Sequence, residues 1–299
     1  MTETTQADPY KRDFDQFGTW GQAPEAEKKF REHLQKVEEI AEPDYLAELL
    51  TQLARARGLQ RGFDDAHEIL DRVEKMLRPK DKVARVRYLL ERGRALRSSK
   101  KPAEARPLFL EAWKLGREIG AEFHAVDAGH MVALVVEPDE ALAWNEKTAE
   151  YAMQSKHKRV RTWCGALYNN IGWTYHNGKK DYEKALGFFE RALVVRKEMG
   201  AQNEISIARW CVARCMRSLN RTKEALAIHT DLWESDRKDS DNPSSGYTAE
   251  EIGECMLELG QAEESKAYFA EAYKRLSQDK WFADNEADRL ARLKKLGGE

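Results

Sequence analysis

Residues 166–200 read ALYNNIGWTYHNGKKDYEKALGFFERALVVRKEMG, and this stretch decides the fold. It holds two helical runs around a short polar turn. The small residues Gly172 and Ala185 lie on the two runs, thirteen positions apart, and Phe189 follows one helical turn later. Two antiparallel helices approach closely where little side chain intervenes, and a larger residue one turn on fills the groove beside that contact. The stretch therefore predicts a helix hairpin.

The same arrangement recurs along the chain. Small residues stand twelve positions apart at Ala54 and Ala66, Gly93 and Ala105, Gly129 and Ala141, Ala213 and Ala225, and Gly253 and Ser265. Larger side chains follow four positions later at Leu70, Phe109, His229 and Phe269. The unit around Gly129 fits worst, with Asn145 and Thr148 at the expected places and Trp144 predicted to supply the bulk. Each hairpin alone leaves an apolar face exposed, so the units are predicted to stack.

The best-matching unit resembles the tetratricopeptide signature. The residues that carry the resemblance are Tyr168, Asn170, Ile171, Gly172, Tyr175, Tyr182, Ala185, Phe189 and Ala192. The resemblance extends over residues 44–277 with a repeat length near 40, which is similar to the longer repeats of kinesin light chains. It implies an all-α, right-handed α-solenoid of about six helix hairpins with flanking N-terminal and C-terminal helices.

The predicted layout has two parts, a flexible N-terminal segment at 1–23 and a solenoid at 24–299. Pro24 begins a helix that Pro43 stops after Glu42. Pro107 is expected to kink its helix, and residues 239–246 form the longest predicted loop. A final helix at 283–296 is expected to cap the stack. The predicted repeats are 44–78, 80–120, 121–155, 157–200, 202–237 and 245–277.

Charge and composition exclude several classes of protein. The net charge of −2 gives no bulk attraction to nucleic acid or to an anionic membrane. No stretch approaches the ~20 apolar residues of a membrane span, and the first residues lack the apolar core of a signal peptide. The four cysteines are expected to be buried thiols in a reducing compartment, so a cytoplasmic location is predicted.

Catalytic signatures are missing from the sequence. It contains no glycine-rich phosphate loop, no GxSxG turn and no HExxH pair. Cys211 and Cys215 share a helix face, but two thiols without further ligands do not indicate a metal site. We therefore predict no enzymatic activity, no cofactor and no metal. An active site built from several repeats is the alternative.

The tetratricopeptide resemblance implies a binding surface on the first helix of each hairpin, which lines the concave face in that family. Arginine recurs at one repeat position at 55, 94 and 214, and two tryptophans occupy neighbouring positions. Arginine and tryptophan are enriched at interface hot spots, and arginine grips a carboxylate with two hydrogen bonds. The predicted partner-binding residues are Arg55, Arg87, Arg94, Arg97, Asn169, Trp173, His176, Trp210, Arg214 and Arg217. In the sixth unit the equivalent surface positions are acidic, at Glu250 and Glu254.

These features predict a scaffold or adaptor that binds a peptide or protein segment with acidic residues in a basic, Trp-containing concave groove. One alternative is a self-assembling structural protein. Residues 44–120 carry 18 basic and 12 acidic side chains, whereas 231–288 carry 6 basic and 16 acidic, so the two regions could meet head to tail. The other alternative is a ligand-sensing regulatory module. The first 43 residues are too short for the DNA-binding head that such modules carry.

Overall fold

A computed structural model describes residues 10–18, 20–236 and 245–298 of the chain. The described residues form helices and turns, with no strand among them. The α-helices in chain order are α1 Ala23–Val37, α2 Pro43–Leu59, α3 Phe63–Met76, α4 Lys82–Ser98, α5 Pro102–Glu118, α6 Glu122–Ala133, α7 Pro138–Met153, α8 Lys158–Arg161, α9 Cys164–Trp173, α10 Tyr182–Met199, α11 Gln202–Ser218, α12 Thr222–Asp236, α13 Ser245–Glu258, α14 Ala262–Leu276, α15 Lys280–Asn285 and α16 Ala287–Leu296.

The chain divides into two compact units, Met1–Leu167 and Tyr168–Glu299, here called unit 1 and unit 2. Unit 1 contains the hairpins α2–α3, α4–α5 and α6–α7, and its first helices α2, α4 and α6 pack against one another in that order. Unit 2 contains α10 and the hairpins α11–α12 and α13–α14, and α16 packs against α14. Within each unit, the first helix of a hairpin thus lies beside the first helix of the next.

The small residues of the repeat do face bulky rings, as predicted. A Cβ on Gly172 would lie 2.6 Å from the Phe189 ring, and one on Gly253 would lie 2.9 Å from Phe269. Gly93 faces Phe109 in the same way. In the third hairpin the atoms nearest to a Cβ on Gly129 belong to Thr148, which was expected in this unit, and to the ring of Trp113 from the preceding hairpin, in place of the predicted Trp144.

The turn between the two helices of a hairpin also repeats. In every hairpin except the third, it places a residue in the left-handed region of backbone space. These residues are Arg61, Lys100, Lys180, Asn220 and Gly260, with φ between 55° and 79°. The left-handed residue lets the next N–H reach back to a helix carbonyl, as from Lys101 to Leu96, and so closes the helix end.

A π-helical stretch, Thr174–Lys179, explains why the fourth unit is one residue longer than the others. A π turn holds one extra residue compared with an α turn. At the end of this stretch the N–H of Asp181 bonds to the carbonyl of Tyr175, one residue further back than in the other hairpins. The extra residue is therefore absorbed inside the helix, and the hairpin keeps its register.

Several predicted boundaries shift. The first helix of the fourth unit, predicted at 157–177, is split into α8, α9 and the π-helical stretch. The capping helix predicted at 283–296 is split at Glu286 into α15 and α16. Helix α5 runs through Pro107 without ending. Most of the loop predicted at 239–246 lies outside the described residues, and α13 already begins at Ser245.

Part of the segment predicted to be flexible has a defined structure. Asp13–Phe17 form a 3₁₀ helix, and Phe14 is fully buried. The sequence shows no period here because one short turn cannot display one. What holds the turn is a set of long-range side-chain contacts with unit 1, described below.

Candidate functional site

An arginine–carboxylate ladder links the first helices of unit 1. Arg55 on α2 lies 3.7 Å from Glu91 on α4, and Arg94 on α4 pairs with Asp127 on α6. Arg94 also lies 2.5 Å from Glu91 within its own helix. On α2 and α4 the arginine directly follows the small residue, and on α4 and α6 the acid precedes the small residue by two. Stacking one hairpin on the next therefore brings the arginine of one against the acid of the other.

Unit 2 contains the same ladder. Arg214 on α11 lies 3.0 Å from Glu251 on α13, and Arg217 lies 2.8 Å from that carboxylate and 2.7 Å from Glu258. The recurrence of arginine at 55, 94 and 214 thus has a structural cause in both units. These arginines do not form a bare cationic surface, because each faces a carboxylate of the same protein.

Two other predicted residues of unit 1 differ sharply in exposure. The Arg87 side chain is only 2 % exposed, and it lies 2.8 Å from Asp15 and 3.1 Å from Glu48. Arg97 is exposed and makes no ion pair with any described residue. It lines a small cavity of about 210 Å³ together with Leu59 and Met131. Among the four predicted arginines of unit 1, Arg97 is the one that a partner's carboxylate can reach directly.

A larger cavity of about 310 Å³ opens on the first-helix side of unit 1. We call it the unit 1 cavity. Its wall carries charged side chains from α2, α4, α6 and α8, and its aromatic residues are Phe123 and Trp163, whose ring centroids lie 5.9 Å apart. The Arg159 guanidinium lies 3.6 Å from the Phe123 centroid. The lining residues are Asp15, Gln52, Arg55, Arg87, Leu90, Glu91, Phe123, His124, Asp127, Arg159 and Trp163.

Several polar atoms in residues that line this cavity are buried without a hydrogen bond to a described residue. Besides guanidinium nitrogens, they include Oε2 of Glu91, whose residue is 4 % exposed, and Nε2 of His124, whose residue is 5 % exposed. Burial, followed by the charges of Arg87 and Arg159, holds the pKa of His124 well below its usual 6.5, so the ring is neutral at pH 7. A carboxylate oxygen and a neutral imidazole nitrogen thus lie in the wall of the cavity without a hydrogen bond to a described residue.

The predicted tryptophans of unit 2 belong to an aromatic cluster that packs on the core. Trp173 lies 5.0 Å from Phe189 and 6.2 Å from Trp210, measured between ring centroids. Trp210 in turn lies 6.0 Å from His229. Both tryptophans are half-buried, so they have a packing role that the sequence did not predict. The indole Nε1 of Trp210 has no hydrogen-bond partner in the described part of the chain.

The remaining predicted residues of unit 2 are bonded within the unit. His176 is buried, and its ring nitrogens lie 2.9 Å from Ser218 Oγ and 2.7 Å from Asn177 Oδ1. The Asn169 side-chain oxygen accepts from the Cys211 thiol at 3.3 Å. The chain therefore uses both side chains to join neighbouring helices.

The acidic residues of the last hairpin are also paired. Glu250 lies 2.5 Å from Arg289, and Glu254 pairs with Arg292. Both arginines lie on α16, the final helix. The C-terminal helix thus neutralises the first-helix face that the sequence marks as acidic.

The cysteines behave as buried structural thiols. All four are buried, and burial raises the pKa of Cys211 to about 12 and that of Cys164 to about 11. A thiol with a raised pKa is a poor nucleophile and a poor metal ligand.

Among the described residues, no group of three or more His, Cys, Asp or Glu side chains could hold a metal ion. None of the described helices has the length and apolar character needed to cross a membrane.

Sequence reasoning missed the acidic half of the site, namely Asp15, Glu48, Glu91, Asp127 and Glu251, as well as His124, Arg159, Phe123 and Trp163. A signal for three of the acids is present in the sequence. Glu91, Asp127 and Glu251 each stand two residues before the small residue of their first helix. Asp15 and Glu48 carry no such signal, because they meet Arg87 only through tertiary structure.

The fold has known relatives among solved structures. A STAND signal-transduction ATPase with a tetratricopeptide-repeat sensor from Pyrococcus horikoshii superposes with a TM-score of 0.71 at 15% identity. Apo RapI gives 0.69 at 15% identity, covering 89% of this chain and 76% of that one. The apo quorum sensor NprR from B. thuringiensis gives 0.63 at 14% identity, covering 94% and 80%. The fold is that of tetratricopeptide-repeat proteins.

The similarity is one of structure. No sequence-family model matches the chain, and no curated protein sequence does. The alignment with the STAND protein covers 93% of this tetratricopeptide-type chain but only 42% of the other, so the chain spans less than half of that protein. These relatives show the helical solenoid fold.

Proposed function

We propose that the chain binds a segment of another polypeptide along the first helices of unit 1, with one polar side chain of that segment inserted in the unit 1 cavity. The observation that carries this proposal is the pair of buried polar atoms, Glu91 Oε2 and His124 Nε2, which lack hydrogen-bond partners among the described residues. A buried polar atom without a partner costs about 1–3 kcal/mol, which a ligand that supplies the partner recovers.

A neutral amide fits this pair. An Asn or Gln side chain, or a backbone peptide group, donates to the Glu91 carboxylate and also bonds to the neutral ring of His124. The Phe123 and Trp163 rings provide apolar contact for the rest of the inserted group. A free carboxylate fits less well, because it would lie against Glu91 and Asp127.

An acidic residue of the partner has a separate place at Arg97. This guanidinium is exposed and lies beside the apolar side chains of Leu59 and Met131. The unit 1 cavity and the Arg97 cavity share Arg55 and Glu91 as a common wall. A bound segment would therefore place an amide on one side of this ion pair and an acidic or apolar side chain on the other.

Two of the structural relatives favour a peptide as the ligand. NprR has also been solved in complex with its cognate peptide NprX, with a TM-score of 0.56 to this chain. A Rap protein has been solved with Competence and Sporulation Factor, with a TM-score of 0.53. Identity is 15% in both cases, so these complexes support the class of ligand and not its sequence.

Selection from a library of random peptides displayed on phage tests the proposal. A selected peptide should bind the purified chain, and Arg159→Ala should weaken binding about tenfold, equivalent to about 1.4 kcal/mol. His124→Phe, which keeps a ring but removes Nε2, should act in the same direction. Arg161→Ala is the matched control, because Arg161 lies two residues from Arg159 on the same helix but does not line the cavity. No selected peptide, or equal affinity for all the variants, would disprove the proposal.

Head-to-tail self-assembly is less well supported than peptide binding. That hypothesis needs an unpaired acidic end, whereas Glu250 and Glu254 are paired with α16. Mass measurement in solution at low and high salt distinguishes the two, since a contact between oppositely charged surfaces weakens as salt rises.

A further inference from the structure

Residues 10–18, here called the N-terminal segment, lie on the first helices of unit 1 and exchange charges with them. Asp15 accepts two hydrogen bonds from Arg87 on α4, at 2.8 and 2.9 Å. In return, Arg12 donates two to Glu48 on α2, at 2.6 and 3.1 Å. Arg87 also donates to the Tyr10 carbonyl at 3.2 Å. The segment supplies the carboxylate in one bidentate pair and the guanidinium in the other. Because the two pairs cannot be interchanged, they fix both the position and the chain direction of the segment.

An aromatic side chain anchors the segment between these pairs. Phe14 is fully buried, and its ring meets Tyr45 of α2 edge to face at 5.1 Å. The Arg87 guanidinium lies 5.7 Å from the same ring. A buried aromatic residue beside a charged pair is the arrangement of a hot spot in a protein–peptide interface.

The segment adds one side chain to a core that the helices build. Helices α2 and α4 pack directly on each other, and Leu49, Leu53 and Leu89 are buried in one cluster with Phe14. Apart from Phe14, the segment contributes a five-residue 3₁₀ turn that is held by its ion pairs with α2 and α4. It therefore lies on unit 1 as a bound ligand with one aromatic anchor would.

Cavities lie at both ends of the segment. Tyr10 and Arg12 line a cavity of about 320 Å³, whereas Asp15 lines the unit 1 cavity. Glu48 belongs to the first cavity and Arg87 to the second, and these two side chains are 3.1 Å apart. If the segment left, the two cavities would join into one groove across α2 and α4.

We propose that the N-terminal segment is an internal ligand of this groove, and that a segment of a partner protein with an aromatic residue next to an aspartate displaces it. This inference rests on the proposed function, because it extends the same binding surface. The partner's aromatic side chain takes the place of Phe14, and its carboxylate takes the place of Asp15 on Arg87. An internal ligand is present at high effective concentration, so it raises the affinity that a partner needs.

The experiment uses a fluorescently labelled peptide with the sequence of residues 10–18, YKRDFDQFG. In full-length Phe14→Ala/Asp15→Ala protein the chain's own segment is weakened, so the labelled peptide should bind at least about tenfold more tightly than to the parent. Asp15→Ala alone keeps the Phe14 anchor and should give a smaller gain. Lys11→Ala is the control, since Lys11 is exposed, and it should behave like the parent.

A second peptide tests the chemistry. The same peptide with its second aspartate, equivalent to Asp15, replaced by alanine should bind the double variant at least about tenfold more weakly, because it loses the bidentate pair with Arg87. Circular dichroism checks that the variants keep their helices. Folded variants that bind the labelled peptide no better than the parent would overturn the inference. The library-selected peptides and Arg159→Ala report on the proposed function separately, so the two can fail independently.

Discussion

The two units use the same repeat positions for the same arginine–carboxylate ladder, but unit 1 has an additional, more deeply buried ion pair beside it. The ladder arginines are similarly exposed in the two units, since the Arg55 and Arg94 side chains are 26 % and 16 % exposed and that of Arg214 is 27 % exposed. Arg87 and Glu48, which contact the N-terminal segment, are only 2 % and 0 % exposed. The comparison shows that repeat stacking creates the ladder, whereas the fully buried pair occurs where a segment outside the repeats packs on the first helices.

Removing Glu48 from unit 1 or Glu251 from unit 2 should lower the stability of the protein more than the other predicted changes, and by a different amount in each unit. Glu48→Ala leaves the buried Arg87 with Asp15 as its remaining carboxylate partner. The free energy of unfolding should therefore fall by about 3–5 kcal/mol. Glu251→Ala should cost less, about 1–3 kcal/mol, because Arg217 keeps Glu258 and Arg214 can turn to solvent. Urea unfolding, with hydrogen exchange to locate the change, measures both.

Glu111→Ala is the control for this pair of variants. Glu111 and its partner Arg85 are both about half exposed, so the loss should stay below about 1 kcal/mol. A loss at Glu251 as large as that at Glu48 would mean that the covering segment contributes nothing to the difference between the units.

The close contact inside a hairpin should tolerate little change in either unit. Gly172→Leu places a side chain where even a Cβ lies 2.6 Å from Phe189, and overpacking of this kind costs typically about 1–3 kcal/mol. Gly187→Leu, on the partner helix α10, is the matched control, because no atom lies within 4 Å of its added Cβ. The control should be neutral or slightly stabilising in a thermal melt. Equal melting of the two variants would contradict the assigned register.

His229 of unit 2 should make the stability of the protein depend on pH. In unit 2 this histidine occupies the place that Phe109 has in unit 1, and it is fully buried with neither ring nitrogen hydrogen-bonded to a described residue. Burial, followed by Arg217 and Arg214, lowers the pKa of His229 from 6.5 to about 3. Between these values the unfolded chain binds the additional proton, so stability falls as pH drops, by at most about 1.4 kcal/mol per pH unit.

His229→Leu should remove this part of the pH dependence. Leucine is chosen because the first hairpin pairs Ala54 with Leu70, and His229 likewise faces an alanine, Ala213. Phenylalanine occurs opposite glycine instead. Melting curves of parent and variant at pH 7 and pH 5 provide the test, and parallel shifts of the two proteins with pH would contradict a neutral buried histidine.

The smallest predicted effect concerns the repeated turn. Lys100 in unit 1 has φ 66°, whereas Gly260 holds the equivalent place in unit 2 with φ 79°. The left-handed region is strained for a residue with a Cβ, so Lys100→Gly should stabilise the protein by about 0.5–1 kcal/mol, and Gly260→Lys should destabilise it by a similar amount. Differential scanning calorimetry of the two variants resolves the signs. The same sign in both would mean that the turns are not equivalent.

Local spacing in the sequence was enough to predict the helix hairpins. Pairs such as Gly93 with Phe109 lie close together along the chain, and backbone approach depends on side-chain size, which can be read directly from the residue types. The exceptions were contacts that depend on a neighbouring hairpin, as when Trp113 instead of Trp144 fills the space beside Gly129.

By itself, then, the sequence determined the repeat and the helix pairs, and it marked repeat positions on the first helices. The tertiary structure alone decided what those positions face. Arg87 and Asp15 are 72 residues apart in the chain, and Glu48 lies on another hairpin. An ion pair depends on the distance between side chains that folding brings together, and no local period records that distance. For this reason the arginines were visible in the sequence, whereas their carboxylate partners, the cavity and the segment that covers it were not.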